Sequence, residues 1–260
     1  MIPVALTIAG SDPSGGAGIQ ADLKTFHQFG VYGAAAITLI TVQNTRRVSR
    51  VECLAPKLVA EQIAAVVEDI PPRAAKTGAL GNRAVVEAVA EAAAAFRFPL
   101  VVDPVMISKH GAPLMDAAAR EALIALLLPL AFLVTPNLPE AEALTGAAIG
   151  DLDGMKRAAA HIHGLGAAAV LVKGGHLPDT ATDVLLVDGK WHDFPAPRIG
   201  TPHTHGTGCT YSAAITAGLA LGLPTAEAVA RAKKFIGEAI RSNPGLGGGA
   251  GPVNHFAPAH

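Results

Sequence analysis

Charge is scarce in this chain. Only 16% of its 260 residues are Asp, Glu, Lys or Arg, and they nearly cancel, leaving a formal net charge of −1. So even a balance gives no electrostatic footprint for nucleic acid or an anionic membrane surface. Aromatic residues make up 4%, too few for a base-stacking platform. There are two cysteines, Cys53 and Cys209, far apart in sequence, and nothing suggests a disulfide framework. No apolar run reaches membrane-spanning length, and the start, M-I-P-V-A-L-T-I-A-G, lacks a basic leader region. These absences point to a cytoplasmic protein with no nucleic-acid or membrane partner.

Several common signatures are missing as well. There is no G-x-x-x-x-G-K-[ST], no G-x-G-x-x-G after the first strand and no G-x-S-x-G elbow. A P-loop, a Rossmann dinucleotide site and an α/β-hydrolase nucleophile are therefore not expected. The pairs His161/His163 and His203/His205 have no cysteine partners nearby and do not read as zinc ligands.

What is present is a hydrophobic half of the chain arranged in short apolar runs between amphipathic stretches. Strands are expected at 4–8, 34–42, 100–102, 132–134 and 168–172, with a hairpin at 184–187 and 191–194. Helices are expected from about 19 to 29, 57 to 69, 82 to 96, 116 to 128, 138 to 144, 155 to 165 and 225 to 240. The spacing predicts one α/β domain over 1–260, a mostly parallel sheet covered by helices on both faces. In such a sheet, ligands bind beyond the carboxyl ends of the strands. Gly10 to Asp12, Gln43, Lys76, Asp103, Asn137 and Lys173 are thereby expected on one rim.

The stretch T-H-G-T-G-C-T at 204–210 runs into an unbroken small and apolar segment. Glycines ahead of a helix expose backbone N–H groups with the positive end of the helix dipole behind them, which suits an anion. A cysteine there, Cys209, is expected to have its thiolate stabilised. The same residues would equally suit a Gly-rich turn before a core helix with a buried cysteine. Phosphoryl transfer needs an anion cradle, magnesium, positive charge and a base for the acceptor hydroxyl. Asp103 and Glu140 are candidate Mg²⁺ ligands, and Lys173 a candidate phosphate contact.

Six ordered segments extend the case: A-L-T-I-A-G-S-D-P-S-G-G-A-G-I-Q-A-D-L-K-T-F at 5–26, V-Q-N-T at 42–45, V-V-D-P-V-M at 101–106, T-P-N-L-P-E-A at 135–141, V-K-G-G-H at 172–176 and T-H-G-T-G-C-T at 204–210. Together they closely resemble the hydroxymethylpyrimidine and phosphomethylpyrimidine kinases of thiamine biosynthesis, within the ribokinase-like superfamily. The resemblance covers nearly the whole chain and implies a three-layer α/β/α ribokinase-like fold. It also implies ATP-dependent phosphorylation of 4-amino-5-hydroxymethyl-2-methylpyrimidine, then of its monophosphate, by a homodimer using Mg²⁺. By motif match, Cys209 deprotonates the acceptor, and Gly206, Thr207 and Gly208 form the anion hole. On the same resemblance, Gly10, Asp22, Gln43, Ala79 and Val105 are expected to form the pyrimidine pocket. Asn137, Lys173 and Thr207 are expected to meet ATP, with Asp103 and Glu140 at the metal.

Two positions depart from the family pattern. Ala79 in K-T-G-A-L stands where many members carry Met, enlarging the pocket. Pro202-His203 replaces a frequent Lys-Asn, and the lost lysine is expected either to weaken nucleotide binding or to shift its job to Lys173. A pyridoxal kinase is the nearest alternative activity. A sugar kinase is disfavoured because Cys209 stands where those relatives have aspartate. A non-catalytic pyrimidine-binding domain would not need a base at a helix start.

Overall fold

The computed structural model describes residues 2–109, 111–175, 177 and 180–259. Nine strands form one sheet: β1 (Val4–Ser11), β2 (Tyr32–Gln43), β3 (Val48–Cys53), β4 (Ala74–Thr77), β5 (Leu100–Val102), β6 (Leu133–Val134), β7 (Ala169–Val172), β8 (Asp183–Val187) and β9 (Lys190–Phe194). Their order is β3-β2-β1-β4-β5-β6-β7-β8-β9. The pairs from β2 through β7 are parallel, while β3, β8 and β9 join antiparallel at the two edges. The expected α/β class and mostly parallel sheet are borne out.

The central strands Ala74–Thr77, Leu100–Val102 and Ala169–Val172 are buried along their whole length, as a strand covered on both faces must be. One face carries α2 (Pro56–Asp69), α3 (Arg83–Ala93), α4 (Ala117–Ala122), α5 (Leu138–Thr145) and α6 (Leu152–Gly164), packed over Leu6, Ile8, Val102, Val134 and Val172. The other carries α1 (Gly18–Gln28), α7 (Thr207–Ala220) and α8 (Thr225–Arg241), packed over Ala5, Val101, Leu133 and Leu171. Helix α7 is buried around its circumference from Thr210 to Ala220, which explains a segment with no polar face.

Two local expectations change. β3 is absent from the sequence reading, because V-S-R-V-E-C is a half-exposed edge strand with little apolar signal. The helix expected over 116–128 runs as α4 only to Ala122, then loosens into a π turn (Leu123–Leu127) and a 3₁₀ turn (Leu128–Leu130). Pro129 has no N–H to continue the ladder. No helix among the described residues is long and apolar enough to cross a membrane.

Candidate active site

The carboxyl ends of the parallel strands open into one cavity of about 970 Å³. Its lining includes Gly10 from β1, Gln43 from β2, Ala79 after β4, Asp103 and Val105 after β5, Asn137 and Glu140 at α5, Lys173 after β7, and Gly206–Cys209 at the start of α7. Twelve of the thirteen site residues expected from sequence therefore face a single space. The exception is Asp22. Its carboxylate lies beneath the floor, fully buried, 2.8 Å from the equally buried Lys76 ammonium and 2.6 Å from the Thr7 hydroxyl. Lys76, expected on the rim, is likewise under it. Asp22 Oδ1 is one of two buried polar atoms without a partner among the described residues.

The α7 end of the cavity is an anion cradle. Gly206 caps the helix in the left-handed region, φ 76°, and no side chain caps the first turn. Only glycine fits: a Cβ at Gly206 would sit 1.7 Å from the Gly16 carbonyl oxygen. The early and late glycine loops thus interlock. His205 and Asp12 brace the junction at 2.7 Å, and Asp12 also accepts from the Ala17 and Ser14 N–H groups. Burial would raise the Asp12 carboxyl, but the His205 and Ser14 bonds hold it below its ordinary value. Gln43 contacts the same His205 ring nitrogen at 3.1 Å. His203, one of the two departures, accepts from the Gly251 N–H and so fastens the C-terminal segment.

Opposite the cradle stands a charged set. Lys173 Nζ donates to Asp103 Oδ1 at 3.0 Å, and the Thr135 and Ser212 hydroxyls complete the carboxylate's partners. A Cβ at Gly208 would lie 3.5 Å from Lys173 Nζ and 3.9 Å from Asp103 Oδ2, so the helix start meets this pair directly. Burial opposes the charge on both groups. Lys173 and Lys76 nonetheless hold Asp103 low, and Asp103 and Glu140 hold Lys173 high, so both stay ionised. Asn137 and Glu140 form a capping box on α5, each side chain accepting the other's N–H at 2.9 Å. Burial pushes the Glu140 carboxyl up to about 7. A bridge between Asn137 and Lys173 extends the β6–β7 pairing and sets the two side by side.

Cys209 overturns one expectation. Burial pushes its thiol up to about 12, although Lys76 and the Gly18 N–H both act to lower it. In the protein without substrates it is a thiol, because desolvation outweighs the cationic neighbour and the helix start.

Sequence reasoning missed the Lys76–Asp22 pair, the His205–Asp12 brace and the cavity wall made by Ala196–Ile199 with Ile236, Gly237 and Ile240. The wall had no motif; the lone buried lysine in A-A-K-T was the available signal for the first. His176 and its part of V-K-G-G-H lie outside the described residues.

Residues 12–254 match the family described as phosphomethylpyrimidine kinase. The chain is 50% identical over 258 residues to the hydroxymethylpyrimidine/phosphomethylpyrimidine kinase of Haemophilus influenzae, covering 97% of this chain and 96% of that one. It is also 50% identical over 256 residues to the thiamine biosynthesis bifunctional protein ThiED of Geobacter sulfurreducens; the match takes in 98% of this chain but only 52% of that longer protein. Among solved structures, an ADP complex of Bacillus subtilis pyridoxal kinase superposes with a TM-score of 0.91 at 40% identity, covering 99% of this chain and 98% of that one.

Proposed function

The chain belongs to the phosphomethylpyrimidine kinase family, and from that premise we propose how its cavity phosphorylates a pyrimidine alcohol and then the resulting monophosphate. It is a bifunctional hydroxymethylpyrimidine/phosphomethylpyrimidine kinase of thiamine biosynthesis, with ATP as donor. The observation that carries the site assignment is the meeting of the uncapped α7 start with the Lys173–Asp103 pair across one cavity. Gly206, Thr207 and Gly208 hold the transferring phosphoryl group by backbone N–H donors, and Lys173 adds a cation on the other side. Asn137 and Thr207 contact the nucleotide. The acceptor ring lies between Gly10, Gln43, Ala79 and Val105.

Asp103 and Glu140 suit Mg²⁺, which takes one or two carboxylates and keeps waters and phosphate oxygens for the rest. When bound there, the ion would neutralise charge on the phosphates. Asp103 is ionised, but Lys173, Thr135 and Ser212 already occupy its oxygens, which favours contact through water. Asp22 acts from beneath by holding Lys76, not by touching the ring.

Cys209 removes the hydroxyl proton. Since it rests as a thiol, its own proton must first pass to solvent water, and Lys76 is the charge that favours the resulting thiolate. The protein works in the cytoplasm as one domain. It acts as a homodimer, for which the exposed Ile40 and Val42, on one face of β2, offer an apolar surface.

Purified protein with Mg–ATP should convert the alcohol to monophosphate and then diphosphate, followed by phosphorus NMR. Consumption of neither acceptor would overturn the assignment. A second activity on pyridoxal has specific support in Ala79, which lines the cavity with a small side chain, and in the likeness to pyridoxal kinase. Comparing kcat/KM on the two alcohols decides between them.

A further inference from the structure

His205 Nε2 faces two groups at once: Asp12 Oδ2 at 2.7 Å and the terminal amide of Gln43 at 3.1 Å. Asp12 is an ionised carboxylate whose oxygens can only accept, and the Ala17 and Ser14 N–H groups already donate to them. The hydrogen between His205 and Asp12 therefore sits on Nε2, in the neutral and the protonated ring alike. A ring nitrogen that carries hydrogen has no lone pair to offer. The Gln43 NH₂ group cannot donate to it, so the atom facing His205 is the amide oxygen, which shares the one Nε2 hydrogen with Asp12 in a three-centre bond. Amide O and N are assigned from such networks, not seen directly.

From this we infer that His205 is a positioning residue that fixes the orientation of the Gln43 amide, turning its oxygen to Nε2–H and its NH₂ toward the ring pocket. The polar atom of the acceptor opposite Gln43 is then a hydrogen-bond acceptor, a ring nitrogen lone pair and not an exocyclic amino group. His205 also adjoins Gly206, and its N–H and C=O bond Gly251 and Val253 in the C-terminal segment. The group that sets ring recognition is thus covalently next to the phosphate cradle.

The inference rests on Gln43 touching the acceptor, and the test separates the two. Three variants are compared with the parent, Gln43→Ala, His205→Leu and His205→Gln, using the pyrimidine alcohol and its analogue with the facing ring nitrogen replaced by C–H. The parent should prefer the nitrogen-bearing ring by roughly tenfold or more, the effect of leaving a buried donor unpaired. His205→Leu should lose most of that preference and raise the acceptor KM, with the ATP KM moved far less. His205→Gln, which keeps a donor near the Nε2 position, should restore the preference. Circular dichroism and melting curves confirm that each variant is folded; should His205→Leu unfold, the His205→Gln variant and the parent's analogue preference still decide. If Gln43→Ala leaves the acceptor KM unchanged, the ring-contact reading fails. If Gln43→Ala raises it while His205→Leu keeps the parent's preference, the orientation role alone is overturned.

Discussion

Lys76 and Asp22 form an ion pair 2.8 Å long in which both side chains are fully buried, one from a central strand and one from α1. Gly18, four residues before Asp22 on the same helix, faces Cys209 with its N–H and acts to lower the thiol against its burial. Four residues at about 1.5 Å each put the pair roughly 6 Å along the axis from that contact.

A buried pair of this kind is weak evidence for stability, since desolving two charges offsets much of their attraction. Its consequence is electrostatic. The Asp22 carboxyl is raised by burial even with Lys76 beside it, while Lys76 is held high by Asp22, Cys209 and Asp103 against its own desolvation. Lys76→Met should destabilise the fold, by up to about 3–5 kcal/mol if Asp22 stays charged and less if it takes up a proton. The double variant Lys76→Met/Asp22→Leu should regain much of that in denaturant unfolding. Neither variant should restore the help Lys76 gives the thiolate: in a Cys53→Ser background, alkylation of Cys209 should need a higher pH than in the parent. An unchanged alkylation profile would show that Lys76 does not act on the sulfur.

Cys209→Ala should keep ATP binding and lower turnover by ~10²–10⁴-fold, the usual weight of a general base. The sign of the pH dependence follows from a thiol pushed up to about 12. The thiolate fraction grows with every unit of pH below that value, so kcat in the parent should climb through pH 7–10, and the residual rate of the alanine variant should not. A parent profile flat over that interval would remove the thiolate from the mechanism.

How much of this was legible beforehand differs by residue. Gln43, Asp103, Asn137 and Lys173 were placed by topology alone, because a parallel sheet brings its strand ends to one rim. Asp22 was carried over by motif and landed outside the cavity, since a motif records that a residue matters without saying what it touches. Lys76 was read as a rim residue because strand periodicity says which element a residue ends, not whether its side chain turns under the floor. The Cys209 thiol was misjudged because the helix start is visible in sequence, whereas the burial that outweighs it is not.

Glu140 gives a prediction of opposite sign to the usual carboxylate. Its folded-state value, about 7, lies above its ordinary 4.5. The unfolded chain therefore releases this proton first, and the stability linked to Glu140 is full at acid pH and lost as pH rises through 7. Glu140→Gln, which can still accept the Asn137 N–H, should move Tm little near pH 4.5 and raise it at pH 8 by several degrees, the shift that about 3 kcal/mol makes in a chain of this size. Calorimetry at the two pH values checks this; equal shifts at both would refute the linkage.

Ala79 faces the cavity with a single methyl group and bonds the Thr38 hydroxyl only through its backbone carbonyl at 2.6 Å. Ala79→Met should therefore fold normally and shrink the ring pocket. Activity on pyridoxal, relative to the pyrimidine alcohol, should fall by roughly tenfold or more, as steric discrimination in such pockets allows. A ratio of kcat/KM values that does not move would mean this position does not set the choice of ring.

The interlock of Gly206 with Gly16 bears on when the enzyme comes into being. The phosphate cradle exists only where a late loop lies against an early one, and the bracing His205–Asp12 contact spans 193 positions of sequence. Closing so long a stretch of chain is slow compared with forming local helices. During synthesis the early loop must wait, half-built, until most of the polypeptide has been made. On dilution from denaturant, helical signal should return before catalysis does, and enzyme activity should be a late marker of a finished molecule.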